Sequence, residues 1–317
     1  MKQNKKRASL FCAVIAVFAC TLSAAQHILF YIANKKQNTQ QMPQKVYQSK
    51  EGTIAYSVYG TGRPLLLLHN TEVGASGTEW QNNIESLSRM YQVFVPDLPG
   101  FGNSQKLKIT YTAYQYALFI NHFIENVIQR SAFVVASSAS ADFAVMAYAL
   151  NHNNIRKLVL ISPTAFQNAI PTDKENKKRI LYQLPLLGTQ IFILSASKKA
   201  IKKNLTENLF FSKEMVTKQL IENYYTMAHR GNETARFSFA SVESQFLYTD
   251  IQKTLKEMKI PLCVVWGKQN RCNTYEQMNN IQNIRPHDTY FLFENTRMLP
   301  HYENSEVFNE SIHSFLQ

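Results

Sequence analysis

Ser138 is the residue of this chain best placed to act as a nucleophile. It lies at the centre of residues 136–140, which read ASSAS, after a predicted buried strand over 132–135 and before a helix of small residues. A serine at the apex of a strand–turn–helix presents its hydroxyl for attack on a carbonyl carbon, and the strained turn requires small side chains on both sides. Ala136 and Ser140 meet that requirement. The pattern therefore predicts acyl transfer through Ser138.

Short apolar runs alternate with helical patterns around this serine and must form the scaffold that positions it. Several of these runs are apolar throughout, which is typical of strands covered on both faces. The alternation predicts an α/β fold with right-handed crossovers, a mainly parallel sheet and helices on both faces. The expected strands are 46–49, 53–59, 64–69, 91–95, 132–135, 157–161, 262–266 and 290–293, and the clearest expected helices are 79–88, 114–128 and 140–150.

The alternation stops between 163 and about 259, where the pattern is helical throughout. A single core with one insertion accommodates a chain of 317 residues. The apolar stretch 180–196 of the insertion lies between lysine clusters and predicts either a lid that admits hydrophobic substrates or a helical pair packed on the core. The predicted segments are a basic tail (1–8), a transmembrane anchor (9–33), a linker (34–44), the first part of the core (45–163), an inserted helical cap (164–259) and the second part of the core (260–317).

The N-terminal segment is interpreted as one transmembrane helix. Residues 9–25 carry no charge, and an apolar run resumes over 28–33; about 20 apolar residues suffice to cross a bilayer. The alternatives are a signal peptide cleaved after 23–25 and a lipid-modified Cys20. Four positive side chains precede the apolar segment and two follow it directly. This asymmetry predicts a single-pass cell-membrane protein whose main domain is extracytoplasmic.

The composition bears on the expected partners. The formal net charge is +12, but no basic motif interleaved with aromatic residues is present, so no nucleic-acid partner is expected. The four cysteines have neither the spacing of a disulfide framework nor that of a metal site. We expect no cofactor and no metal. The expected partners are the membrane, through the N-terminal helix, and a small-molecule or lipid-like substrate.

Several motifs, in order along the chain, resemble those of the α/β-hydrolase superfamily. The most specific is DLPGFGNS at 97–104, which resembles the family's Asp-x-x-Gly-x-Gly-x-Ser turn. Residues 60–70 resemble the strand and His-Gly turn that lead into the oxyanion loop. Residues 156–163, 261–267 and 299–303 resemble the strand after the elbow helix, the strand bearing the acid and the segment after the catalytic histidine. From about residue 46 to its end, the chain is similar to this superfamily, and particularly to uncharacterised bacterial members with an N-terminal membrane anchor.

The resemblance implies positions for a catalytic triad, and both partners of the serine are replaced there. Counting along the matched segments puts Asn270 at the position of the acid and Met298 at that of the histidine. An amide does not stabilise an imidazolium as a carboxylate does, and a thioether accepts no proton at neutral pH. His301 is the candidate substitute base, with a supporting or surface position as the alternative. Glu294 is a candidate acid or a loop cap, whereas Asp142 is better explained as a first-turn acid of its helix.

The resemblance also implies an oxyanion hole, which needs backbone amides rather than particular side chains. Its donors would be the amide of Ala139 and one from Asn70 or Thr71, with Asn70 in place of the usual glycine. His69 is expected to hydrogen-bond within this loop, as the matching family histidine does. His229 is expected to be a packed or exposed residue of the cap.

Two functions are compatible with these residues. The first is a membrane-anchored serine hydrolase of a small or lipid-like ester, with Ser138 as nucleophile and a nonstandard base such as His301. The second is a catalytically degenerate member of the same fold, a pseudoenzyme that binds a ligand or partner in the former active-site pocket. The retained serine supports the first function, and the replacement of both triad partners supports the second. Of the two, we expect the hydrolase.

Overall fold

An eight-stranded sheet forms the framework of this computed structural model, which describes residues 2–35, 44–164 and 170–317. The strands follow the order β1-β2-β4-β3-β5-β6-β7-β8 across the sheet. β1 pairs with β2, and β2 with β4, in antiparallel fashion, while all the other neighbouring pairs are parallel. The strands are β1 (Lys45–Ser49), β2 (Gly52–Tyr59), β3 (Arg63–Leu68), β4 (Tyr91–Pro96), β5 (Ala132–Ser137), β6 (Ile155–Ile161), β7 (Leu262–Gly267) and β8 (Thr289–Phe293).

Helices cover both faces of this sheet. The helices are α1 (Lys2–Lys35), α2 (Gln81–Ser88), α3 (Ala113–Phe123), α4 (Ala139–Leu150), α5 (Asp173–Gln183), α6 (Leu187–Ser195), α7 (Lys198–Asn204), α8 (Lys218–His229), α9 (Ala235–Glu243), α10 (Gln252–Glu257), α11 (Glu276–Ile284), α12 (Pro300–Glu303) and α13 (Ser305–Leu316). Leu66 and Leu68 of β3 belong to the core formed with α3, α4, α10 and α11. Leu65 and Leu67 belong to the core formed with α2 and α13. This alternation of side chains explains why the run is apolar at every position.

The predicted scaffold is confirmed in its type and arrangement. Each expected strand is present, and the sheet is mainly parallel with helices on both faces. The helix expected at 114–128 begins as α3 and continues as a π-helical turn to Ile128. Thr112 and Gln115 form a capping box at its start, in which the side chain of each residue accepts a hydrogen bond from the backbone amide of the other.

The described residues between β6 and β7 are helical, as the sequence predicted. We call residues 170–250, which contain α5 to α9, the β6–β7 insertion. Residues 165–169 of the predicted cap and residues 36–43 of the predicted linker lie outside the described part of the chain. The division of the chain into six segments stays a prediction.

The C-terminal part of α1 packs on the β6–β7 insertion. Phe30 is 1% exposed, and its ring centroid lies 6.4 Å from that of Phe192. Gln26 Nε2 donates to the carbonyl of Leu186 at 3.1 Å, and Asn34 Nδ2 donates to a carbonyl of α8 at 3.3 Å. This end of the helix therefore contacts protein through both apolar and polar side chains.

The expected transmembrane helix over 9–33, and with it the expected single-pass cell-membrane localisation, is wrong. Within the described ranges, no helix is long and apolar enough to cross a membrane. The sequence predicts that the apolar run continues to residue 33. Gln26 lies inside this run and Asn34 directly follows it, and the side chains of both residues hydrogen-bond to the insertion. Within the run between them, Phe30 and Ala33 are buried and Phe30 packs on Phe192, whereas Ile28, Tyr31 and Ile32 are exposed.

Candidate active site

Ser138 occupies a strained turn between β5 and α4. Its φ of 56° and ψ of −129° lie outside the regions that a residue with a Cβ atom prefers. The turn is held in part because the Ser138 amide donates to the carbonyl of Ile161 at 2.8 Å. The side chain is 4% exposed. This combination is the geometry of a nucleophile elbow.

Ser140 ties this elbow to the loop that follows β3. Its buried Oγ donates to the carbonyl of His69 at 2.5 Å. A glycine, which is usual at this position, would leave that carbonyl without this donor. The sequence predicted only that the residue must be small, so the role of the hydroxyl was missed.

The loop after β3 supplies one of the candidate oxyanion donors. The Asn70 amide donates to Glu79 Oε2 at 2.9 Å, and Asn70 Nδ2 donates to the same oxygen at 2.6 Å. The Asn70 amide is therefore occupied. Within the described part of the chain, no acceptor receives the amides of Thr71 and Ala139. Of the three predicted donors, these two remain for an oxyanion.

His69 is held inside this loop, as expected. The amide of Leu98 donates to His69 Nε2 at 3.0 Å, so Nε2 is the unprotonated nitrogen. Nδ1 therefore carries the proton and donates to the carbonyl of Asn70 at 2.5 Å. Burial lowers the pKa of His69, although the negative charges of Asp97 and Glu79 oppose this shift. A neutral ring with both nitrogens engaged is a structural element of the loop rather than a base.

A second tie to this loop comes from the turn that carries the DLPGFGNS motif. Asp97 Oδ1 accepts the amide of Gly77 and its Oδ2 accepts that of Asn103, both at 2.7 Å. Gly102 has a φ of 50°, and a Cβ atom there would lie 2.3 Å from the carboxyl carbon of Asp97. The glycine is therefore required by space as well as by conformation.

His301 lies in a buried contact with Glu79 rather than on Ser138. His301 Nε2 lies 2.9 Å from Glu79 Oε1, with the two side chains 0% and 1% exposed. The ring also packs on Trp80, with 4.4 Å between centroids. No hydrogen bond joins His301 to Ser138 among the described residues. The structure thus places His301 in the supporting position that was the alternative to its predicted role as base.

Glu79 is the functional residue that the sequence did not reveal. One of its carboxylate oxygens holds Asn70, and the other holds His301, so it connects the candidate oxyanion loop to α12. An acid in the first turn of a predicted helix has an ordinary explanation in the helix dipole. Nothing in the local sequence distinguishes a buried, network-forming glutamate from that case.

Asn270, at the position of the triad acid, stabilises its own loop. Its Oδ1 accepts the amides of Cys272 and Asn273 at 3.1 and 3.2 Å. Its buried Nδ2 has no hydrogen-bond partner in the described ranges. The residue therefore caps the turn after β7 and orients no imidazole.

Met298, at the position of the triad histidine, forms part of an apolar contact with the β6–β7 insertion. It is buried in a cluster with Leu209, Phe210 and Tyr224 of the insertion. Its amide donates to the carbonyl of Leu209 at 3.2 Å. An apolar side chain at this position extends the interface between the core and the insertion, which a histidine would make more polar.

The remaining candidates also have other partners. Buried Asp142 accepts a hydrogen bond from Thr164 Oγ1. Glu294 pairs with Lys268 at 2.5 Å on the surface. His229 donates from Nδ1 to a carbonyl of its own helix at 2.8 Å and is packed, as expected. Among the described residues, none of these side chains hydrogen-bonds to Ser138.

The comparison with known proteins decides the family. A family model described as alpha/beta hydrolase fold matches residues 64–305. The chain belongs to the α/β-hydrolase fold family. A solved structure of this fold, a serine hydrolase involved in carbazole degradation (CarC enzyme), superimposes with a TM-score of 0.70 at 19% identity, covering 87% of this chain and 99% of the other.

Curated relatives of this α/β-hydrolase-fold chain are hydrolases and esterases. The pimeloyl-[acyl-carrier protein] methyl ester esterase of Aliivibrio salmonicida (strain LFI1238) is 21% identical over 283 residues, which cover 84% of this chain and 96% of that protein. A 2-hydroxy-6-oxononadienedioate/2-hydroxy-6-oxononatrienedioate hydrolase of Paraburkholderia phymatum is 24% identical over 275 residues, covering 83% of this chain and 90% of the relative. These names belong to the relatives, and one fold carries many chemistries, so the activity of this chain must be argued from its own site.

Proposed function

We propose that this chain is a serine hydrolase of a small or lipid-like ester, with Ser138 as the nucleophile. The observation that carries the proposal is the strained conformation of Ser138 next to the unoccupied amide of Ala139. Backbone strain of this kind costs about 1–3 kcal/mol and is concentrated at functional sites. The hydrolase and esterase activities named for the relatives support the same conclusion.

The proposed reaction proceeds through an acyl-enzyme. Ser138 Oγ attacks the carbonyl carbon of the ester, and the amides of Thr71 and Ala139 stabilise the negative charge that develops on the carbonyl oxygen. The bond to the alcohol oxygen then breaks, and that oxygen takes from water the proton that Ser138 has given up, so that the alcohol leaves as a neutral molecule. Water hydrolyses the acyl-serine ester, which releases the acid and restores the Ser138 hydroxyl.

The base of this reaction is nonstandard. His301 Nε2 is engaged by Glu79, so we assign His301 to positioning: through Glu79 it fixes Asn70 and, with it, the neighbouring Thr71 amide. The hydroxyl proton then passes to water. Binding and an oxyanion hole without the triad still accelerate acyl transfer by about 10³–10⁴-fold over water. We therefore expect slow turnover and a preference for esters with good leaving groups.

Turnover of p-nitrophenyl acetate and butyrate by the full chain tests this proposal. We expect slow release of p-nitrophenol by the wild type and its loss in Ser138→Ala. Ser137→Ala is the matched control, because Ser137 is the adjacent buried serine and its Oγ has no partner among the described residues. Equal release by wild type and Ser138→Ala would rule out Ser138 as the nucleophile.

A ligand-binding pseudoenzyme is the second candidate function. It is favoured by the structural contacts of Asn270 and Met298, which fill both triad positions with side chains engaged elsewhere. A folded wild type that turns over neither ester would support this candidate and contradict the hydrolase.

A further inference from the structure

A pocket opens between the candidate oxyanion loop and the β6–β7 insertion. It encloses about 190 Å³, which is enough for a small headgroup. Glu72, which directly follows Thr71, lies on the core side of this pocket. The side chains that matter for its chemistry are Glu72, Asn204, Tyr182, Tyr224, Phe239 and Glu243. We call it the Glu72 pocket.

Glu72 places in this pocket a carboxyl group without a positively charged partner among the described residues. Its Oε2 accepts a hydrogen bond from Asn204 Nδ2 at 2.8 Å, and Asn204 is uncharged. Within the described ranges, no cation lies at ion-pair distance from Glu72. Desolvation raises the pKa of Glu72, and the negative charges of Glu243 and Glu79 raise it further, while the Asn204 hydrogen bond opposes the shift. A positive ligand would remove this penalty, because it would favour the ionised carboxylate.

Aromatic rings supply the second feature that an ammonium group requires. Tyr182 and Phe239 stack with 5.2 Å between their centroids, and Tyr224 is buried on the side of the oxyanion loop. The faces of such rings carry partial negative charge and attract cations. Carboxylate and aromatic groups thus line the same small cavity.

One ammonium of the protein itself lies near a carboxylate and an aromatic ring of the pocket lining. Lys178 Nζ lies 5.4 Å from the centroid of Tyr182 and 3.2 Å from the carboxylate of Glu243. The two side chains of this pair are 36% and 42% exposed. Glu72 and Tyr224 bring the same two types of group to the pocket lining, and no described cation contacts either side chain.

We propose that the Glu72 pocket binds the ammonium group of the substrate. This inference rests on the proposed function and narrows its substrate to an ester that carries a primary or quaternary ammonium. Because Glu72 is adjacent in sequence to Thr71, the ammonium would lie a short spacer away from the ester carbonyl held by the Thr71 amide. A neutral ester of the same shape would offer Glu72 no positive partner.

Calorimetric titration of the full-chain Ser138→Ala protein tests binding separately from catalysis. The ligands are choline and its neutral carbon isostere, 3,3-dimethyl-1-butanol. We expect choline to bind at least about tenfold more tightly. Adding Glu72→Gln should abolish this preference, whereas adding Glu310→Gln, which changes an exposed carboxylate of α13, should retain it. Equal affinity for the two ligands in Ser138→Ala, or an unchanged preference after Glu72→Gln, would overturn the proposal.

Hydrolysis by the wild type separates this inference from the proposed function. Butyrylcholine and 3,3-dimethylbutyl butyrate differ only in the charge of the alcohol. A choline preference without hydrolysis of either ester would keep the Glu72 pocket and contradict the hydrolase. Hydrolysis of both esters at the same rate, with no choline preference, would keep the hydrolase and contradict the pocket. The comparison of two ligands on one protein does not depend on whether the Glu72→Gln variant folds.

Discussion

At the scale of single residues, Glu79 is the centre of the candidate site's support. One of its carboxylate oxygens contacts Asn70 of the candidate oxyanion loop, and the other contacts His301 of α12. All three side chains are buried. A polar group that lost its hydrogen bond here could not form a replacement hydrogen bond with water. The cost of removing Glu79 is therefore a loss of both stability and loop geometry.

Glu79→Ala should lower the free energy of unfolding by about 3 kcal/mol, because it leaves buried His301 and Asn70 unpaired. Urea denaturation followed by circular dichroism measures this change. Glu85→Ala is the matched control: Glu85 pairs with Arg89 on the exposed face of α2, and such pairs contribute less than about 1 kcal/mol. Similar losses in the two variants would contradict the assigned role of Glu79.

Lys106 is a second buried residue whose chemistry is unusual. Its Nζ donates to the carbonyl of Gly102 at 2.6 Å. Burial lowers the pKa of Lys106 from 10.5 to about 7, with a further contribution from Arg230, while Asp97 opposes the shift. The unfolded chain keeps its proton up to higher pH than the folded chain does. Between these two pKa values, unfolding is accompanied by the uptake of a proton. The free energy of unfolding therefore increases as the pH rises through this range.

The free energy of unfolding should increase between pH 7 and 9, with a contribution from Lys106 of up to about 1.4 kcal/mol per pH unit. Lys106→Met should remove this contribution. The free energy of unfolding of the variant, measured relative to that of the wild type, should therefore be higher at pH 7 than at pH 9. Urea denaturation at the two pH values measures the difference. A wild type and variant with parallel pH profiles would show that Lys106 titrates normally.

At the scale of elements, the contact between α1 and the β6–β7 insertion is a packing interface. Phe30 is buried in this interface and lies against Phe192 and His229. Gln26 and Asn34 add hydrogen bonds on either side. The interface is local, so its loss should release α1 without unfolding the sheet.

Phe30→Ala should increase amide hydrogen exchange in residues 26–34 and in α6, while exchange in β3, β5 and β6 stays unchanged. The reason is that the truncated side chain removes the apolar part of the contact. Hydrogen exchange with mass spectrometry measures the effect. Ile32→Ala is the control, since Ile32 is on the same helix and is exposed. Equal exchange in the two variants would mean that α1 is not held by Phe30.

The sequence predicted the elements of the core better than their contacts. Continuous apolar runs such as β3 identified the buried strands, because both faces of a parallel sheet are covered and each side chain is therefore apolar. The same property misled the interpretation of α1. An apolar run predicts burial against something apolar, and Phe30 is buried against the insertion, which the sequence of the run itself does not identify.

At the scale of the whole molecule, the candidate site joins segments that are far apart in the chain. Glu79 and His301 are separated by 222 positions, and the Glu72 pocket combines the loop after β3 with α5 to α9. Motif spacing predicts Ser138, Thr71 and Ala139 as site residues because each depends on its local turn. It did not identify Glu79 as the partner of His301. The two residues belong to different motifs, and their contact depends on how distant segments pack in the buried core.

The central claim is that Ser138 is a reactive nucleophile without a histidine base, and covalent labelling tests it most directly. The full chain is treated with a fluorophosphonate, and the adduct is measured by intact mass and located by peptide mapping. We predict one adduct on Ser138, formed slowly, absent in Ser138→Ala and retained in Ser137→Ala. His301→Ala should still label, because His301 only positions the loop. A folded wild type that forms no adduct, or an adduct on another residue, would contradict the account.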